Sequence, residues 1–104
     1  MYVIIWEYQV KADRSAEFEK IYGENGAWVE LLKNRSGYLR TEFLRHSGHL
    51  LHSITIDRWA SVVDYEAFLS DWRKEYDKLD AQCEGLTEQE TLVGKGETIL
   101  HETR

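Results

Sequence analysis

The spacing of apolar residues changes period several times along the chain. Residues 2–10, YVIIWEYQV, are β-branched and aromatic and read as a strand. Tyr2, Ile4, Trp6, Tyr8 and Val10 share one face, and Val3, Ile5, Glu7 and Gln9 the other. Both faces begin apolar, which suits a central strand covered on both sides. Asp13 and Ser15 are cap candidates for the helical spacing of Phe18, Ile21 and Tyr22. Gly23 and Gly26 interrupt that spacing. Trp28, Leu31 and Leu32 resume it in a second short helix, with Asn25 as its cap and Ser36-Gly37 as its stop. Residues 38–46 and 49–59 alternate around Ser47-Gly48, a hairpin signal. Ser61 and Asp64 form a capping box with Asp in place of Glu. Behind them Tyr65, Phe68, Leu69, Trp72, Tyr76, Leu79 and Cys83 make one apolar stripe that stops near Gly85. Residues 89–101 read as a last strand, with Gly94 and Gly96 marking a bulge or a close backbone approach.

Strand, helix, strand, strand, helix, strand is the ferredoxin-like βαββαβ order, an α+β fold with a four-stranded antiparallel sheet. Its helices cover one face of the sheet only. The other face is expected to carry Val3, Ile5 and Trp59 among polar groups, so a face-to-face homodimer is the expected way to keep them dry. Glu7, Arg40, Glu42 and Asp57 are expected on the same mixed face, as ion pairs or solvated charges.

Length and composition narrow the picture. The 104 residues suit a single domain, and no linker, repeat or low-complexity run divides it. At 42% hydrophobic the chain is too apolar for disorder, and its net charge of −6 argues against a nucleic-acid partner. No stretch of 18 apolar residues suggests a membrane span, and MYVIIWEY lacks the basic start of a signal peptide. Cys83 is alone and cannot form an internal disulfide, so a reducing cytoplasm is the expected location.

HSGHLLH, residues 46–52, raises the question of a metal. A two-residue loop at Ser47-Gly48 would pair His46 with His49, Leu44 with Leu51, Arg40 with Thr55 and Tyr38 with Asp57. The opposite face would pair Phe43 with His52, Thr41 with Ile54 and Leu39 with Ile56. His52 would then point away from His46 and His49, under the helices, and no metal site is expected.

The segment ITIDRWASVVDYEAF, residues 54–68, ends a strand at Trp59, caps a helix at Ser61 and opens it with Tyr65. Together with VIIWEYQV, GYLRTEFLR and LTEQETLVG, it resembles the antibiotic biosynthesis monooxygenase-like proteins, a branch of the dimeric α+β barrel group. The resemblance covers residues 2–98. It implies a homodimer with one pocket per subunit between sheet and helices. In some members it implies oxidation of aromatic polyketides or quinols by molecular oxygen without metal or flavin, hence no cofactor. The tryptophan and tyrosine that line the pocket of polyketide-oxidising members match Trp59 and Tyr65. Their asparagine falls on Thr55, which departs from the pattern. Haem-degrading relatives use an asparagine, a tryptophan and a histidine at positions resembling Tyr8, Phe68 and Lys78; none matches.

The catalytic candidates are therefore Trp59, Tyr65 and Thr55, and the substrate-binding candidates Tyr8, Trp28, His52, Phe68 and Trp72. Two readings stand: a cofactor-independent monooxygenase acting on a small aromatic, and a non-catalytic small-molecule-binding or scaffold dimer. For every one of these aromatics, plain core packing is the competing role.

Overall fold

The structure, a computed structural model, describes residues 1–99. Strands β1 (Tyr2–Val10), β2 (Tyr38–Arg45), β3 (His52–Trp59) and β4 (Thr87–Glu97) form one antiparallel sheet in the order β2-β3-β1-β4. This is the ferredoxin-like arrangement, with β1 central as its two apolar faces require. Helices α1 (Ser15–Tyr22), α2 (Ala27–Leu32), α3 (Val62–Asp71) and α4 (Arg73–Cys83) cover one face. Residues 100 and 101 of the expected last strand lie outside the described residues. Among those described, no helix is long and apolar enough to cross a membrane.

Local chemistry explains most of the boundaries. The Ser61 hydroxyl accepts from the Asp64 backbone N–H at 3.2 Å and donates to the Asp64 carboxylate at 2.9 Å, which starts α3. Gly37 has φ +80°, and a side chain there would collide with the Asp64 carboxylate, so only glycine serves at the entry to β2. The expected caps Asp13, Ser15 and Asn25 are not used: Arg14 and Gly26 occupy the cap positions of α1 and α2, with no side-chain capping bond. The long stripe from Tyr65 to Cys83 is bent rather than straight. Trp72 leaves helical geometry at φ −121°, ψ 24°, while bonds from Trp72 N–H to Phe68 C=O and from Tyr76 N–H to Trp72 C=O carry the ladder across it. β4 carries a bulge against β1 beside Gly94, as its glycines suggest.

The core lies between sheet and helices in two clusters. One gathers Tyr8, Val10, Phe18, Tyr22, Cys83 and Leu86; the other gathers Tyr2, Ile4, Leu32, Trp59 and Phe68. Phe18 and Leu86 are fully enclosed and Trp59 is 1% exposed. Burial of each such side chain contributes about 1.5–3 kcal/mol.

The register of β2 and β3 differs from the expected hairpin. Phe43 faces Thr55, Thr41 faces Asp57, and Arg45 faces Ser53. Residues 47–51 form a longer connection, closed by His46 N–H to His52 C=O and by a turn from His49 N–H to His46 C=O. The slip relative to a two-residue loop is odd, so it reverses the faces of β3. Ser53, Thr55, Asp57 and Trp59 point to the helices; His52, Ile54, Ile56 and Arg58 point away. Trp59 is thus not on the uncovered face, and Asp57 is not among its ion pairs. The uncovered face holds Val3, Ile5, Ile54, Ile56 and Leu44, with Arg58 bonded to Glu42 and His52 Nε2 3.2 Å from Glu7.

Candidate functional site

A cavity of about 50 Å³ lies between sheet and helices, walled mainly by aromatic side chains. β1 supplies Ile4, Trp6 and Tyr8 to it, and β3 supplies Thr55, Asp57 and Trp59. These are alternate residues of adjacent strands, so strand parity alone brings them to one surface. Thr41 joins them from β2, Tyr22 from α1, and Trp28 and Leu32 from α2. Tyr65 and Phe68 reach down from α3, Tyr76 and Asp80 from α4, and Glu90 comes from β4 opposite Tyr8.

The aromatic wall is continuous. Trp59 packs edge-on to Tyr65 at 5.7 Å and tilted to Phe68 at 5.4 Å. Trp28 meets Tyr76 edge-on at 5.2 Å and Tyr22 at 6.2 Å. Such pairs are held by the opposed charges of ring face and ring edge as well as by burial.

Polar atoms are few and specifically placed. Tyr8 Oη and Thr55 Oγ1, both buried, share a hydrogen bond at 3.0 Å. Thr41 Oγ1 donates to Asp57 Oδ1 at 2.6 Å. That hydroxyl has one proton, so in its 2.7 Å contact with Tyr38 the tyrosine is the donor. Trp28 Nε1 is buried with no acceptor in hydrogen-bond geometry; its neighbour, the Cys83 thiol, is at best a weak acceptor. An unmade bond on a buried donor costs about 1–3 kcal/mol, so this N–H is a local cost in the packing of α2.

Burial sets the ionisation of the site. Removal from water lifts Asp57 to about 6, against the pull of the Thr41 hydrogen bond. Burial also raises the hydroxyls of Tyr8, Tyr22, Tyr65 and Tyr76, which stay protonated at neutral pH. Asp80 and Glu90 sit at the solvent-exposed edge; desolvation and neighbouring carboxylates raise both. Among the described residues, no lysine or arginine lines the cavity.

Of the residues singled out by sequence, Trp59, Tyr65, Thr55, Tyr8, Trp28 and Phe68 meet around this cavity. His52 does not. The odd register slip turns it to the far face, where it stacks on His46 at 5.6 Å and meets His49 edge-on at 6.1 Å. The expectation that His52 opposes the other two histidines is corrected by the same slip. Trp72 also stays outside, at the bend between α3 and α4, with the Arg35 guanidinium 3.6 Å above its ring. Among the described residues, no group of three His, Cys, Asp or Glu is placed to hold a metal ion. The sequence pattern placed Asp57 on the uncovered face rather than in the site, and did not single out Thr41, Asp80 or Glu90. For Asp57 the signal was present, because it alternates with Thr55 and Trp59.

No family model matches the sequence, and no curated protein matches it either. Solved structures do. The Rv0793 protein of Mycobacterium tuberculosis superposes with a TM-score of 0.73 at 10% identity, covering 98% of each chain. An antibiotic biosynthesis monooxygenase superposes at 0.69 and 12% identity, covering 96% of this chain and all of that one. SnoaB, a cofactor-independent oxygenase from Streptomyces nogalater crystallised as a mutant, superposes at 0.68 and 16% identity, covering 98% of this chain and 94% of its own. At these identities the chain shares the fold of those proteins.

Proposed function

We propose that the chain is a homodimeric, cofactor-independent monooxygenase of the antibiotic biosynthesis monooxygenase type, acting on a small electron-rich aromatic such as a quinol or an anthrone-like polyketide. The observation that carries this reading is the aromatic-walled cavity around Trp59 and Tyr65, set in a fold shared with a cofactor-independent oxygenase. The substrate loses a proton, passes an electron to molecular oxygen, and recombines with the reduced oxygen at carbon. For an anthrone-type CH₂ group, one oxygen atom becomes the new carbonyl and the other leaves as water with the two hydrogens. No external reductant is needed. Trp59 and Tyr65 orient the ring, while Tyr8, Trp28 and Phe68 pack on it. Thr55 acts through the Tyr8–Thr55 pair, because its hydroxyl is already engaged.

A cavity that holds benzene measures about 150 Å³. With about 50 Å³ available, a ring enters only as the half-buried Trp28, Tyr65 and Tyr76 turn outward. The apolar strip of Val3, Ile5, Ile54 and Ile56 on the uncovered sheet face is the dimer surface of this reading. Oxygen uptake tests it: a panel of hydroquinones and anthrones should drive consumption that Trp59→Phe lowers at least tenfold. Uptake no greater than in that variant across the panel sinks the proposal. The engaged Thr55 hydroxyl and the narrow cavity favour one other reading, a non-catalytic dimer that binds aromatics. It predicts thermal stabilisation by the same compounds with no oxygen consumed.

A further inference from the structure

We propose that Asp57 is the general base of this cavity, and that its substrate arrives as a neutral phenol or enol and is ionised inside. This inference rests on the oxygenase reading above and adds the group that starts it. Asp57 stands on β3 between Thr55 and Trp59 and lines the cavity with them. One oxygen, Oδ1, is fixed by the Thr41 hydroxyl, which is itself held by Tyr38. Among the described residues Oδ2 meets no donor, and no cation neutralises the carboxylate. A half-buried carboxylate with one oxygen free of protein donors and no counter-ion is placed to accept a proton from a molecule in the cavity. Its proton affinity, raised toward neutrality by burial, matches what a base working near neutral pH requires.

The groups around it are compatible with that task. Tyr8 on β1, Tyr65 on α3 and Tyr76 on α4 keep their protons, and Tyr38 on β2 donates to Thr41. At the rim, Asp80 on α4 and Glu90 on β4 present negative charge to whatever enters. A carboxylate or phosphate is repelled there; a neutral phenol is not. Inside, the substrate O–H bond breaks, the Asp57 Oδ2–H bond forms, and the electron pair remains on the substrate as the oxidisable phenolate or enolate. The protonated Asp57 then hydrogen-bonds that anion, and its proton leaves in the water formed at the end of turnover.

Two measurements separate this inference from the reading beneath it. First, kcat/KM of the wild-type protein for an oxidised hydroquinone should rise with pH through a midpoint near 6, and Asp57→Asn should lower kcat by at least about 100-fold. Second, anaerobic titration by tryptophan fluorescence compares hydroquinone with its dimethyl ether. The preference for hydroquinone should grow at least fivefold from pH 5 to pH 7.5 in the wild type and be flat in Asp57→Asn. 4-Hydroxybenzoate should bind at least tenfold more weakly than hydroquinone at pH 7.5. Turnover with an Asp57→Asn rate within threefold of wild type overturns the base and leaves the oxygenase reading standing. No turnover, with the pH-dependent preference present, overturns the oxygenase reading and leaves Asp57 as the acceptor. A pH-independent preference overturns the role of Asp57 without any variant being needed, and tight 4-hydroxybenzoate binding overturns the neutral-substrate claim.

Discussion

Replacing Asp57 by Asn should stabilise the protein, by an amount that grows between about pH 4 and pH 6 and holds above it. Asn is nearly isosteric and its carbonyl can still accept from Thr41, so packing is kept. The magnitude follows from the displaced ionisation. Asp57 titrates at about 6 in the fold against 3.8 ordinarily, a rise of 6 − 3.8 = 2.2. At about 1.36 kcal/mol per unit, the charged form costs the folded state up to about 3 kcal/mol. The sign is that of a raised carboxylate: between pH 4 and 6 the folded state binds more protons than the unfolded one, so stability falls as pH rises. Urea unfolding of both proteins at fixed concentration, at pH 4 and at pH 8, isolates this group. The variant should gain about 1–3 kcal/mol over wild type at pH 8, allowing for a weaker bond to Thr41, and little at pH 4. A difference that is the same at both pH values, or a variant less stable at pH 8, would refute a desolvated Asp57 carboxylate without a counter-ion.

Other expectations follow from single contacts. Phe18→Ala empties a fully enclosed site and should cost about 3–5 kcal/mol in urea unfolding, with the transition still cooperative. Gly37→Ala places a side chain at φ +80° against the Asp64 carboxylate, and should cost at least about 1–2 kcal/mol, visible as a lower melting temperature. Ile5→Asp puts a charge on the uncovered sheet face without touching the cavity; sedimentation should show a wild-type dimer and a variant monomer at micromolar concentration. A wild-type monomer would leave the apolar strip unexplained.

The sequence carried the fold well because its periods are strong. The alternation of residues 2–10 and the stripe from Tyr65 to Cys83 each admit one element type, and their order admits one familiar topology. What it carried poorly was register. Ser47-Gly48 looks like the whole of a tight turn, but the connection uses residues 47–51, and nothing in those side chains announces the extra length. Because strand faces alternate, that odd slip sent His52 out and brought Asp57 in. In β2, Thr41 and Phe43 face the helices in either register, but an irregularity at its start turns Tyr38 onto Trp59 and leaves Leu39 exposed. Trp72 shows a second limit. It fits the helical stripe by count, yet it lies at the bend between α3 and α4 and outside the cavity. That Trp28 Nε1 is buried without a partner has no one-dimensional signature at all, since it depends on how α2 lies against α4.

The most direct test of the account is turnover of an anthrone under isotopically labelled molecular oxygen, with the product analysed by mass spectrometry. The account predicts one labelled oxygen atom in each quinone product, at a rate that falls with Trp59→Phe and far more with Asp57→Asn, and with no metal or flavin added. Unlabelled product, or labelling at the same rate without the protein, would contradict it.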